Sequence, residues 1–114
     1  MEVTSNQCDL IVDGKKKRFT HEIKEISVLK DKILVLLSIP QDDKETIDNI
    51  YAVSYDGEII WRVESLKKLY SSQINLPYEY MTVNGSEIQA TDFYGRRYFI
   101  DIENGHIKKR DVVK

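Results

Sequence analysis

Four dipeptides, Asp13-Gly14, Asp56-Gly57, Asn84-Gly85 and Asn104-Gly105, punctuate this chain, each set among β-branched and aromatic residues. Both positions of such a pair tolerate positive φ, which the tight type I′ turn requires and which matches the twist of the flanking strands. A chain with four such reversals is committed to antiparallel hairpins. Tyr94-Gly95 is a further turn of the same kind, and Lys30-Asp31 marks a reversal between Ile26–Val28 and the run that starts at Ile33. The expected product is one all-β domain over residues 1–114, an antiparallel hairpin meander of about ten short strands.

A two-residue loop fixes every pair behind it, so each hairpin is tested by its own hydrophobic pattern. Around Asp56-Gly57 the count sets Ser54 against Ile59, Ala52 against Trp61 and Ile50 against Val63, a face nearly all apolar. Tyr51, Val53, Tyr55, Glu58, Ile60 and Arg62 fall on the other face, half polar, to meet water or a second layer. Around Asn84-Gly85 it sets Met81 against Ile88, with Val83 and Ala90 on the same face. Around Asn104-Gly105 it pairs Ile102 with Ile107, Asp101 with Lys108 and Phe99 with Arg110, and around Asp13-Gly14 it places Cys8 opposite Phe19. Ile33-Leu34-Val35-Leu36-Leu37 does not alternate, which marks a central strand covered on both faces. Two segments interrupt the meander. Ser38 to Asn49, with Pro40 and four acids, reads as a surface loop, and Glu64 to Pro77 as one helical turn capped by Ser65. The apolar faces are expected to close on one another as a two-layer sandwich or a partly open barrel.

Hydrophobic residues make up 41% and charged residues 32% of the chain, enough apolar side chains for a core. The net charge of −2 supplies no global field toward nucleic acid or anionic membrane, so neither partner is favoured. Cys8 is the only cysteine, which excludes an internal disulfide and suits a reducing compartment, and Met1 to Thr20 holds no apolar stretch of signal-peptide length. A cytoplasmic location is therefore expected. The only histidines, His21 and His106, are far apart and read as surface positions, so no metal or other cofactor is expected. Asp42-Asp43 sits in the polar loop and reads as solvation. Without a phosphate loop, a nucleophile elbow or an activated thiol, the chain is expected not to be an enzyme.

Asn49-Ile-Tyr-Ala-Val-Ser-Tyr-Asp-Gly-Glu-Ile-Ile-Trp61 resembles the repeat of quinoprotein-type β-propellers, in which a strand, an Asp-Gly-like turn and a strand ending in Trp recur. Phe99-Ile-Asp-Ile-Glu-Asn-Gly-His-Ile107 is similar to the same hairpin in a following blade, about fifty residues on. The resemblance implies blade-like sheets. It stops short of a propeller, because a closed ring needs at least four blades of four strands and this chain supplies about two and a half. The second unit also has Lys108-Lys109-Arg110 where the repeat carries its Trp.

Open sheets have edges that must be charged, covered or paired, and Lys15-Lys16-Lys17-Arg18 and Lys108-Lys109-Arg110 suit charged edges. Tyrosine and arginine dominate protein interfaces, and the chain has seven tyrosines. Tyr51, Tyr55 and Arg62 share the half-polar face of one hairpin, while Arg96 and Arg97 lie among Phe93, Tyr94, Tyr98 and Phe99, with alternation sending the two arginines to opposite faces. These five residues are the candidate interaction site. The function expected is a non-catalytic protein-protein interaction module, immunity-like or accessory, that engages a protein partner or a second copy through an open edge. The alternative is a small-ligand or single-stranded nucleic-acid binder using Arg96, Arg97 and their aromatic neighbours.

Overall fold

A computed structural model of the chain describes residues 2–112, and in it each tight reversal joins strands that are neighbours in sequence. The described residues form eleven strands: β1 (Val3–Asn6), β2 (Asp9–Val12), β3 (Lys15–Arg18), β4 (Ile23–Val28), β5 (Ile33–Leu37), β6 (Ile50–Val53), β7 (Ile59–Arg62), β8 (Tyr78–Asn84), β9 (Glu87–Asp92), β10 (Arg96–Asp101) and β11 (Ile107–Val112). One helical turn, α1 (Leu66–Leu69), lies between β7 and β8, and Ser65 caps it by accepting from the Lys68 N–H at 3.3 Å. The strands make three antiparallel sheets, β1 to β3, β4 to β7 and β8 to β11, each an up-and-down meander in chain order.

The run Ile33 to Leu37 explains how the sheets stack. All five residues of β5 are buried, and successive side chains point to opposite faces. Ile33, Val35 and Leu37 meet Leu10, Val12 and Phe19 from the first sheet and its following loop, while Leu34 and Leu36 join Trp61, Tyr78, Ile88, Tyr98 and Ile100 against the third. The middle sheet is thus sandwiched between two cores, so the stack has three layers and no sheet closes on itself. The two end faces are polar. Behind Leu10 and Val12 the first sheet turns out Thr4, Asp9 and Lys16. The third turns out Thr82, Gln89, Arg97 and Lys109, with Phe99 lying between the Arg97 and Lys109 cations at 5.2 and 4.8 Å. Polar outer faces are what terminal layers of a stack require.

The expected pairs are found at Ala52 with Trp61 and at Cys8, whose carbonyl accepts from the Phe19 N–H at 2.8 Å. Cys8 itself lies in the turn between β1 and β2. Three details differ. A bulge after Ala52 sets Val53 against Ile59, because the loop at Asp56-Gly57 is longer than two residues. Met81 faces Ala90 and Val83 faces Ile88, since the turn is made by Gly85-Ser86; the shift is two residues, so every side chain keeps its face. Ile107 pairs with Ile100 and not Ile102, because residues 102–106 form a longer loop that packs on the middle sheet, Lys108 pairs with Glu87 at 3.1 Å instead of with Asp101, and a bulge between Phe99 and Ile100 sets Phe99 against Lys109 and not Arg110.

Two buried polar contacts tie the layers together. Asn49 donates to the carbonyls of Leu37 and Tyr78 at 2.8 and 2.9 Å and accepts from the Tyr78 N–H at 2.8 Å, joining β5 to the start of β8. At the opposite side Trp61 Nε1 and Lys32 Nζ both donate to the Ile102 carbonyl, at 3.2 and 3.1 Å. Glu64 accepts from the Ile107 N–H at 2.8 Å and donates its own N–H to Gly105 at 3.0 Å.

Candidate interaction surface

The five residues singled out from sequence are engaged in different ways. Tyr51 packs its ring on Phe19, 5.2 Å between centroids, and the Tyr55 hydroxyl donates to the Leu29 carbonyl, so both seal the core between the first and second sheets. Arg62 lies over Tyr51 at 5.4 Å and donates to the carbonyls of Asp48 and Ile47, both at 2.9 Å, which fastens the 38–49 loop to β7. Asp48, beneath it, is partly buried, and that burial pushes its carboxyl up from the ordinary value against the opposing pull of the Leu66 N–H and Arg62. Arg97 is held on the outer face of the third sheet by a two-pronged bond to Asp111 at 2.9 and 2.8 Å. Arg96 alone of the five lies beside the exposed aromatics Phe93 and Tyr94.

That place is the turn between β9 and β10. Its organiser is Asp92, a buried carboxylate at the last position of β9. Asp92 Oδ1 accepts from the backbone N–H groups of Tyr94 and Arg96 at 2.9 and 3.1 Å, and Oδ2 accepts from Arg96 Nε at 2.8 Å. The Gly95 N–H donates back to the Asp92 carbonyl at 3.1 Å, with Gly95 at φ +82°, where only glycine sits without strain. An aspartate that bonds the backbone two residues on is a turn signature legible in sequence. With the backbone fixed, Phe93 and Tyr94 point outward and are 76% and 61% exposed. Arg96 reaches across to donate to the Ile74 carbonyl at 2.8 Å and lies 5.4 Å from the Tyr94 ring. It thereby anchors Ile74, itself 73% exposed, to the same patch. Nothing in the pattern around Ile74 announced this, since the contact spans twenty-two residues.

Beside Phe93 runs an open groove of about 280 Å³ walled by Ile39, Pro40 and Pro77, with Asp43, Lys44 and Glu79 at its rim. Asp43 accepts from the Thr46 hydroxyl at 2.7 Å, the Thr46 and Glu45 N–H groups at 3.0 Å and His21 at 3.0 Å, bonds that hold its carboxyl far below the usual range. His21 in turn meets the Thr20 hydroxyl at 2.9 Å. This Thr-His-Asp chain has the order of a hydrolase relay, yet its bonds are consumed in pinning the 41–46 loop. A second groove of about 490 Å³ is walled by Lys44, Lys67, Gln73 and Asn75 and has no exposed aromatic. Among the described residues no three His, Cys, Asp or Glu side chains gather as a metal site, and no helix is long and apolar enough to cross a membrane.

Residues 1–112 match the family described as a domain of unknown function, DUF7957. The chain belongs to that family. No curated protein matches this DUF7957 domain. Among solved structures it is similar to the crystal structure of the computationally designed Ika8 protein, with a TM-score of 0.59 and 8% sequence identity over 96% of this chain. The DUF7957 domain spans 35% of that designed chain, and at this identity the likeness concerns the fold alone.

Proposed function

We propose that the DUF7957 domain is a non-catalytic protein-protein interaction module, immunity-like or accessory, whose contact surface is the Asp92–Arg96 turn with Ile74 and the adjoining groove. One observation carries this reading: two large aromatics are held in solvent by a turn whose backbone a buried carboxylate has already fixed. Burying one phenylalanine side chain is worth about 1.5–3 kcal/mol, and a rigid anchor loses little entropy on binding. Such exposed, preorganised aromatics are the composition of interface hot spots.

A protein partner is favoured over nucleic acid because Arg96 and Arg97 lie on opposite faces, each bonded to a carboxylate. The turn is favoured over edge pairing for a related reason. The edges β3 and β11 carry lysine runs, β7 is bulged, and Glu25 accepts from the Met81 N–H of β8 at 3.3 Å. Kinship to quinoprotein-type propeller blades is proposed as architecture only, supported by two consecutive four-stranded meanders. A reducing, cytoplasmic setting is proposed from the single cysteine of the sequence, Cys8.

The test compares the immobilised wild-type domain with the double variant Phe93→Ala/Tyr94→Ala and the control Arg97→Ala in capture from native lysate. The expected result is a specific protein whose affinity falls about thirtyfold with the aromatic variant, as a hot-spot loss of about 2 kcal/mol implies, and holds with the control. Equal capture by all three proteins refutes the assignment.

A further inference from the structure

We propose that the groove beside Phe93 receives an arginine side chain from a basic segment of a partner protein. The inference rests on the interaction reading above and names the chemistry of its ligand. The walls contributed by Ile39, Pro40, Pro77 and Phe93 are apolar, so they suit the methylene stem of a long side chain. The face of Phe93, largely free of its own chain, attracts a cation placed over it.

Charge selects the head group. The loop that walls the groove carries Asp42, Asp43 and Glu45 against Lys44, which is exposed on a flexible stem, while its Asp48 faces Arg62 and lies outside the groove. Asp43 supplies a fixed negative charge but no free acceptor, since both its oxygens are taken by Glu45, Thr46 and His21. Glu79 differs. Its ion pair is a distant one, 3.9 Å from Lys24, so its carboxylate retains capacity for a guanidinium. An apolar slot with one underused carboxylate, inside an acidic field, fits a planar cation with a greasy stem better than an anion or a neutral chain.

The experiment adds acetyl-Gly-Arg-Gly-amide to the ¹⁵N-labelled full chain and follows the backbone amides. A matched peptide with citrulline, which keeps the shape and loses the charge, is the comparison. The expected result is saturable shifts at Ile39, Glu79 and Phe93 that weaken with salt, with the citrulline peptide about tenfold weaker. Phe93→Ala and Glu79→Gln each reduce the arginine affinity; both sites are solvent-accessible, and unchanged spectra elsewhere verify the fold. Equal binding of the two peptides, shifts centred on the Lys67 groove, or no shifts in the millimolar range overturn the proposal. If the arginine peptide fails while lysate capture still depends on Phe93 and Tyr94, this inference falls and the interaction reading stands.

Discussion

Replacing Gly105 by alanine probes the joint between the second and third sheets. Gly105 has φ +77°, and a Cβ placed on it would lie 2.5 Å from Trp61 Cε3 and 2.7 Å from Cδ2. The left-handed backbone alone costs an alanine about 1–2 kcal/mol. The overlap adds about 1–3 kcal/mol of overpacking, because the ring is 8% exposed and has no room to retreat. Displacing the indole also endangers its bond to the Ile102 carbonyl, worth about 1 kcal/mol. The sum, about 3–6 kcal/mol, approaches the whole stability of an ordinary domain. Gly85 is the internal control, with φ +63° and nothing within 4 Å of its Cβ position, so Gly85→Ala should cost only the backbone strain. Both substitutions gain the same small benefit from a stiffer unfolded chain, which cancels in the comparison. Urea unfolding, followed by circular dichroism and by the fluorescence of the single tryptophan, gives the two midpoints. Gly105→Ala should lose at least about 2 kcal/mol more than Gly85→Ala, and most of that excess should vanish in a Trp61→Leu background. Equal losses at the two glycines would refute the packing argument.

Two more outcomes follow from buried polar groups. Asn49, 1% exposed, makes three hydrogen bonds, two of them across to Tyr78 of the third sheet, and Asn49→Ala should cost about 3 kcal/mol or more by leaving Leu37 and Tyr78 backbone groups unpaired; a urea midpoint within about 1 kcal/mol of wild type contradicts this. Burial raises the folded pKa of Asp48 above its unfolded value, so its contribution is fully present below the unfolded pKa and is lost as pH rises through the folded one. Asp48→Asn keeps an acceptor for the Leu66 N–H and tolerates φ +55°, and should therefore stabilise the domain near pH 7 and change nothing near pH 3, with destabilisation at neutral pH as the contrary result.

Much of the candidate surface was only half legible. Arg96 lies beside Tyr94, its neighbour in the aromatic run, and the alternation that separates it from Arg97 is the one observed. Hairpin parity groups Tyr51, Tyr55 and Arg62 on one face, but parity carries no information that the first sheet and Phe19 cover that face. Asp92 carried a readable signal, an aspartate two residues before Tyr94, whereas its burial depends on β8 and Ile74 arriving from elsewhere.

Local chemistry determined the strands: turn residues set where the chain reverses, the period of two set which side chains share a face, and Ser65 set the start of α1. The unbroken apolar run of β5 even required a layer on each side. Which layers those are, and how they meet, was decided by contacts far apart in the chain, among them Asn49 with Tyr78, Trp61 with Ile102 and Gly105, and Arg96 with Ile74. Hairpin patterning constrains neighbours and is blind to a two-residue slip or to a third sheet. Such features become defined only when separate sheets exclude water from a common interface and every buried polar group must find a partner there.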